Sequence, residues 1–314
     1  MTLELSDIEM AAELPSWPRS MPVYTVQKAE YEERRPAIAF LQEALHLGKV
    51  KPVEIKGSLH LMSPAGEIQY YRPSGALWAQ NIAADKAFED ERRPWKVEKE
   101  RDETDPDNYK LVLAREEQEM LAELTAGLFN EAGLMSEQAT FAGVELDQVA
   151  SRPEKRGEEA LFAGEANVRF LYRLENVPVD GAGAKSYAFF NPGEEGPVFS
   201  GLFHVWRRPV GATSIQMVGA EEALARVLAR DRELAMYHDK GYAIKLNQVR
   251  LVYYAMPPFE YQEYVYPALE VFGFAVPRQR EKRREGFGFA RFYNAAPPKA
   301  YIQAELFADY LLSP

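Results

Sequence analysis

Cysteine is absent from the 314 residues. That one absence removes disulfides, thiolate nucleophiles and cysteine-ligated zinc together. It leaves the compartment open, because a cysteine-free chain folds in either redox environment. Histidine is almost as scarce. His46, His60, His204 and His238 are the whole supply; none stands in an HExxH pattern and no two are close in sequence, which disfavours a zinc hydrolase site. There is no GxSxG elbow for a serine nucleophile. No apolar run reaches the roughly 18–20 residues of a membrane span. The opening MTLELSDIEMAAELPSWPRS lacks the basic start and continuous apolar stretch of a secretory signal, so the chain as given reads as cytoplasmic, or as extracytoplasmic if a signal was trimmed. Positive charge is in deficit: 37 Lys and Arg face 48 Asp and Glu, for a net charge of −11. A field of that sign repels phosphate backbones and disfavours nucleic acid as a partner.

What is present suffices for a large packed core. Hydrophobic residues make up 46% and aromatics 12% of the chain, which argues against disorder and for one large or two smaller domains. Residues 1–22, interrupted by Pro15, Pro18 and Pro22, read as a loosely attached arm. A first helix-plus-meander unit is expected over 23–110. Its helix runs from Arg35 to Leu47 with Ala37, Ile38, Leu41, Ala44 and Leu45 on one face and Gly48 as C-cap. Strands follow over Val53–Met62, Glu67–Arg72 and Ala76–Asn81. The charged segment Asp85–Asn108 reads as an exposed loop. A second, larger helix-plus-sheet unit is expected over 111–314. It has helices over Leu113–Ala132 and Ala220–Tyr237, a polar connection over Ser151–Glu159, and a closing helix over Ala300–Leu312. Its strands cover Glu137–Leu146, the stretch Glu165–Arg208, Leu246–Ala255, Tyr264–Phe274 and Gly286–Tyr293. Helices separated by runs of hairpin-linked strands give an α+β fold, with helices on one face of antiparallel meander sheets and a duplicated plan.

Several motifs bear on chemistry. Gly181–Ala182–Gly183 sits between strands and has no third glycine, so it reads as a hairpin turn rather than a phosphate loop. Asp102, Asp105, Asp107 and Asn108 carry oxygen ligands suited to calcium but lack EF-hand spacing, and read as a solvated acidic loop. Glu194 and Glu195 fall on a turn, where two carboxylates are ordinarily solvated. Arg278, Arg280, Lys282, Arg283 and Arg284 reverse the acidic field locally, as a loop or as a contact for an acidic partner. No catalytic residue, metal ligand or cofactor follows from these patterns.

The informative stretch is Glu165–Arg208. Side chains alternate along a strand, so Val168, Phe170, Tyr172 and Leu174 share one face and Arg169 and Arg173 the other. Phe199, Phe203 and Val205 are expected inward, opposite His204 and Trp206. The same alternation in the strand at Leu246–Ala255 sets Arg250 and Tyr254 apart from Leu251 and Tyr253. One aromatic–cationic face made of Arg169, Arg173, Tyr187, His204, Trp206, Arg250 and Tyr254 is therefore expected to carry binding. The alternative is a solvated face of cation stems shielded by aromatics.

Three segments resemble the PepSY/FTP-type regulatory domains of thermolysin-like protease propeptides and of YpeB-like and YycH/YycI-like envelope proteins. They are GEIQYYRPSGALWAQ within Arg35–Gln80, VRFLYRLENVPVDGAGAKSYAFF with GLFHVWRRP, and QVRLVYYAMPP with QEYVYPALEVFG. Asn176 stands where such domains usually have glycine. The resemblance implies cystatin-like units of a helix on a sheet, an extracytoplasmic setting, and inhibitory or chaperoning binding without catalysis. The expected function is thus a non-catalytic regulatory protein engaging a protein or peptide partner. The alternative is a small-molecule binder or a cofactor-independent cyclase or isomerase, its pocket lined by Tyr172, Tyr187, His204, Trp206 and Tyr254.

Overall fold

The computed structural model describes residues 3–82, 95–101, 109–151, 160–278 and 286–294. Asp102, Asp105, Asp107 and Asn108, most of the basic run after Arg278, most of the connection after Ser151, and the closing helix expected over Ala300–Leu312 lie outside them. The elements in chain order are β1 (Ile8–Met10), β2 (Ser20–Gln27), α1 (Tyr31–Ala44), β3 (Lys51–Ile55), β4 (Ser58–Met62), β5 (Gly66–Tyr71), β6 (Ala76–Asn81), β7 (Val97–Arg101), β8 (Tyr109–Leu113), α2 (Arg115–Glu131), β9 (Ala139–Ser151), β10 (Ala160–Leu174), β11 (Val177–Asp180), β12 (Lys185–Asn191), β13 (Val198–Val205), β14 (Arg208–Gln216), α3 (Ala220–Leu228), α4 (Arg232–Asp239), β15 (Tyr242–Tyr254), β16 (Tyr264–Val265), β17 (Pro267–Pro277) and β18 (Phe287–Asn294). The fold is α+β and its sheets are mostly antiparallel. Among the described residues no helix is long and apolar enough to cross a membrane.

Most strands join one sheet in the order β18-β17-β15-β11-β10-β12-β13-β6-β5-β4-β3, with β9 beside β10 and β1 beside β15. The register shows how its two halves meet. Tyr172 pairs with Ala139 of β9 on one side and Val179 of β11 on the other, while Leu171 pairs with Thr140 and with Lys185 of β12. β11 and β12 are therefore one return strand, interrupted by an excursion over 181–184. The hairpin turn lies earlier, at Glu175–Asn176, where Glu175 has φ +54°. This corrects the expectation that Gly181 and Gly183 make the hairpin turn: they make the point where the sheet divides. Beyond it, β12 continues against β13, and β11 runs parallel to β15 through Val179↔Tyr253 and Asp180↔Tyr254.

Two cores follow from the division. In the first, Ile38 and Leu41 of α1 and Leu121 and Phe129 of α2 pack on Ile68, Leu77, Val168, Ala188 and Leu202 of the sheet. Burying each large apolar side chain contributes roughly 1.5–3 kcal/mol. This core draws on both of the units expected from sequence, so residue 110 is no boundary in packing. In the second core, α3, α4 and the N-terminal Leu3 and Ile8 pack on β15, β17 and β18. The small sheet β14-β2-β16 lies against the junction, bringing Met21, Val26 and Val265 onto Tyr172, Val179, Trp206 and Tyr253.

Other departures from the sequence reading have local causes. The N-terminal arm is docked: β1 pairs in parallel with β15, Leu3 is only 2% exposed, and the Trp17 indole donates to the Val218 carbonyl at 2.7 Å. Its prolines forbid a helix but not an extended docked segment. Val53–Met62 is a hairpin, because Lys56 and Gly57 both take positive φ, the backbone of a tight two-residue turn. The charged segment before residue 108 includes a strand, β7, paired with β8. The expected Ala220–Tyr237 helix is two, because Asp231 caps a new one by accepting from the Leu234 amide at 2.9 Å. Helix α1 starts four residues earlier than expected, on a capping box in which Glu30 and Glu33 satisfy each other's backbone amides.

The dividing excursion leaves no room for a side chain at Gly181 or Gly183. A Cβ on Gly183 would lie 1.8 Å from the Met256 carbonyl oxygen. Gly183→Ala should therefore destabilise by about 1–3 kcal/mol, read as a melting temperature several degrees lower, whereas Ala182→Ser at the exposed neighbour should leave it unchanged.

Candidate functional site

The structure does not place the seven expected residues on one face. The inner, helix-covered face carries the cross-strand row Phe170–Ser186–His204–Leu77–Tyr70–Leu59, and the outer face carries Arg169–Tyr187–Phe203–Trp78–Gln69–His60. His204 and Trp206 are thus inward, and Arg169 and Tyr187 outward. The cause is a β-bulge: Phe190 pairs with Phe199 but Phe189 with Gly201, so Ser200 is an extra residue that resets the alternation. Phe199 and Leu202 share the inner face and Phe203 the outer one. Counting from Phe199 without the bulge inverts His204 and Trp206.

The outward pair is simple. Arg169 pairs with Glu145, and its guanidinium carbon sits 5.8 Å from the Tyr187 ring centre. Arg173 is exposed at the strand end and donates to the Asn176 carbonyl at 2.6 Å. Arg250 and Tyr254 lie on the other side of the junction. Arg250 bridges Asp180 and Glu270, and Tyr254 packs against Phe292 with ring centres 4.8 Å apart. Glu270 is 1% exposed. Burial first, and the Asp180 charge second, push its carboxyl up to about 7. A carboxyl that holds its proton more tightly folded than unfolded stabilises at low pH and loses that contribution as pH rises from about 4.5 to about 7. The melting temperature of Glu270→Gln minus that of the wild type should therefore increase between pH 5 and pH 8, and a difference constant with pH would contradict this.

The inward residues meet at a cavity of about 360 Å³. Four segments line it: Gln27–Ala29 between β2 and α1, Glu33 and Arg34 in the first turns of α1, the α2–β9 connection from Gly133 to Gln138, and His204, Trp206 and Arg208 around the end of β13. Each is placed for a physical reason. Gly133, at φ +65°, ends α2 and turns Leu134 and Met135 back so that both amides bond the Phe129 carbonyl. Gly75, at φ +71°, lets the β5–β6 turn press on residue 29, where a Cβ would sit 2.3 Å from the Ala29 carbonyl oxygen. The same close approach offers the Gly75 carbonyl to Arg34, whose Nε donates to it at 2.9 Å. Trp206 stacks flat on Tyr172, with ring centres 4.1 Å apart and planes 4° from parallel.

The polar groups form a directed chain. Tyr172 Oη lies 2.6 Å from Ser186 Oγ, and Ser186 Oγ 2.8 Å from His204 Nδ1. If Nδ1 carried the imidazole proton, Ser186 would accept it and donate to Tyr172, whose own hydroxyl proton would then have no acceptor, at a cost of about 1–3 kcal/mol. The arrangement that satisfies both buried hydroxyls runs Tyr172 to Ser186 to Nδ1; it puts the proton on Nε2, on the residue that lines the cavity. His204 is 1% exposed. Burial first and the Arg34 charge second hold it well below the usual histidine range, so it stays neutral with Nε2–H as a donor. Burial likewise raises Tyr172 to about 12.

Arg34 is 8% exposed, and beyond its Nε bond neither terminal nitrogen has a hydrogen-bond partner among the described residues. His204 Nε2 also has none among the described residues; the ring's hydrogen bonds are at Nδ1. The side-chain acceptors around the cavity are engaged: Glu33 by the Glu30 amide at 2.7 Å, Gln138 by Ser136 at 2.6 Å and Gln27 by Arg208 at 3.5 Å. The buried end of the cavity thus offers donors. A second cavity of about 330 Å³, lined by Trp95, Met120, Lys96, Glu116 and Glu117, has no comparable group, since the Trp95 indole is already bonded to the Gly164 carbonyl at 2.8 Å.

Of the expected pocket lining, the structure gathers Tyr172, His204 and Trp206 and leaves Tyr187 and Tyr254 elsewhere. Sequence reasoning missed Arg34 and Ser186. A signal for Arg34 existed: Arg34, Ala37, Ile38 and Leu41 are spaced i, i+3, i+4 and i+7, the inward stripe of a helix begun one turn earlier. Ser186 had no such signal.

No family model matches the chain, and no curated protein does. Among solved structures, an uncharacterized protein from Eubacterium rectale ATCC 33656 shares the fold at TM-score 0.53 with 11% identity, over 92% of this chain and 88% of that one.

The neutrality of His204 sets a pH dependence. The unfolded chain takes up a proton on this residue below about pH 6.5 while the folded chain does not, so acidification from that pH downward favours unfolding. The wild type should lose melting temperature from pH 6.5 to pH 5 more steeply than His204→Gln; equal slopes would show that His204 protonates in place.

Proposed function

We propose that the chain is a non-catalytic binding protein whose ligand is a small molecule held in the Arg34–His204–Trp206 cavity. The observation that carries this reading is the convergence of Tyr172, His204 and Trp206 with a buried guanidinium on one cavity. Its volume falls in the range of small-molecule sites, roughly 300–1,000 Å³. Arg34 and His204 line the cavity with N–H groups that have no partner among the described residues, an arrangement suited to groups that meet a ligand. Support for a non-catalytic role comes from the surroundings of His204: among the described residues Ser186 orients it and no carboxylate does, and Glu33 of the lining accepts from the Glu30 amide in the α1 cap.

The reading closest to the PepSY/FTP-type resemblance is docking of a protein or peptide on the outer face. The partly exposed row Arg169–Tyr187–Phe203–Trp78 favours it. That row is largely aromatic and partly exposed, but its cation is already paired with Glu145.

A ligand-observed NMR fragment screen on the wild type and on Met135→Trp separates the two. Met135 lines the cavity from a connecting loop, and tryptophan there fills the space without removing a hydrogen-bonding group. Fragments that bind the wild type and are lost in Met135→Trp, at unchanged melting temperature, support the cavity. Binding that is indifferent to Met135→Trp but lost in Tyr187→Ala favours the outer face.

A further inference from the structure

We propose that the ligand of the Arg34–His204–Trp206 cavity is a monoanionic carboxylate with an apolar body. The inference rests on the cavity being a ligand site and adds the chemistry of what enters it.

The buried end of the cavity sets the charge. Arg34 has two terminal nitrogens with no hydrogen-bond partner among the described residues. They form a planar fork whose geometry matches the two oxygens of a carboxylate. His204 Nε2–H adds a donor whose direction is fixed by the Tyr172–Ser186 chain. A carboxylate offers acceptors alone and satisfies all of them. A carboxamide would turn its NH2 toward donors, and an ammonium would meet the Arg34 charge in a poorly solvated space.

Counting charge limits the anion to one unit. Arg34 is the buried cation of the lining. Lys28 is spent at the edge, donating to the Arg72 carbonyl at 2.8 Å and lying 3.5 Å from Glu30. Arg208 is exposed, and Glu33 adds a negative charge beside Arg34. A doubly charged phosphate would leave uncompensated negative charge next to Glu33. Although most of the lining is polar, Ala29, Leu134, Met135 and Trp206 form an apolar part of the wall. They suit an aliphatic or aromatic acid rather than a sugar acid, whose hydroxyls would need acceptors already in use.

Because His204 stays neutral, the donor set does not change through the ordinary pH range. Affinity for an acid already ionised should accordingly be flat between pH 6 and pH 8.

The experiment is isothermal titration calorimetry of the full chain at pH 7.5 with matched probes: hexanoate against hexanamide, benzoate against benzamide, with benzylamine and inorganic phosphate alongside. The carboxylates should bind at least tenfold more tightly than their amides, and benzylamine and phosphate should give no binding heat. Arg34→Met should abolish carboxylate binding. Arg34→Lys, which keeps the charge without the fork, should weaken it about tenfold. Circular dichroism and melting curves establish that the variants fold; should Arg34→Met not fold, the acid-to-amide ratio on the wild type and the Arg34→Lys result decide. A short peptide with a free C-terminus, compared with its C-terminal amide, separates the sources. Binding of the free acids alone marks a small organic acid, and equal binding of the peptide acid marks a protein C-terminus. An acid-to-amide ratio near one, or silence from every carboxylate at millimolar concentration, overturns the proposal. The cavity reading fails on a different result, namely bound fragments that Met135→Trp does not displace.

Discussion

A guanidinium buried beside a neutral imidazole, with no carboxylate paired to it among the described residues, is the constraint on which the rest of this structure turns. A charge taken out of water is costly unless it is paired or hydrogen-bonded, and Arg34 has one backbone carbonyl to offset that cost. The fold keeps it inward nonetheless. Arg34 heads the stripe that places Ile38 and Leu41 in the first core, so turning it outward would rotate the whole of α1. The Gly75 turn, the Gly133 turn and the end of β13 then close around it.

The same constraint explains why His204 matters although it is hidden. A second positive charge beside Arg34 is unfavourable, and burial disfavours it further, so the imidazole stays neutral. Ser186 and Tyr172 then fix which nitrogen carries the proton. A buried polar chain of this kind is either fully satisfied or a liability. Here it is satisfied at its inner end, and its open end points to the cavity. The stacking of Trp206 on Tyr172 ties that wall to the junction where β11 hands the sheet over to β15.

Much of the architecture was legible because hydrophobic periodicity carried it. The α+β class, the inward face of β10 and the stripe of α1 follow from side-chain spacing alone. What could not be read depends on residues that break spacing without changing composition. Ser200 is an ordinary strand residue whose bulge inverts His204 and Trp206. Lys56 gives no warning of the positive φ it adopts in a tight turn. Asp231 splits a periodic helix because its carboxylate caps Leu234 and also accepts from Tyr293, a contact 62 residues away in sequence. The candidate site was half legible for the same reason. Tyr172, His204 and Trp206 stand out as residue types, whereas Arg34 reaches them through a fold-level contact between α1 and the β5–β6 turn.

The central claim is that a neutral His204, protonated on Nε2, completes a donor set at the buried end of the cavity. Histidine-selective long-range ¹H–¹⁵N NMR on the wild type reads this directly. The account predicts that the His204 ring nitrogens report the neutral Nε2–H tautomer from pH 6 to pH 8, and that the Nε2–H signal shifts on addition of benzoate but not of benzamide. A His204 that titrates as an imidazolium in that range, or that carries its proton on Nδ1, would contradict it.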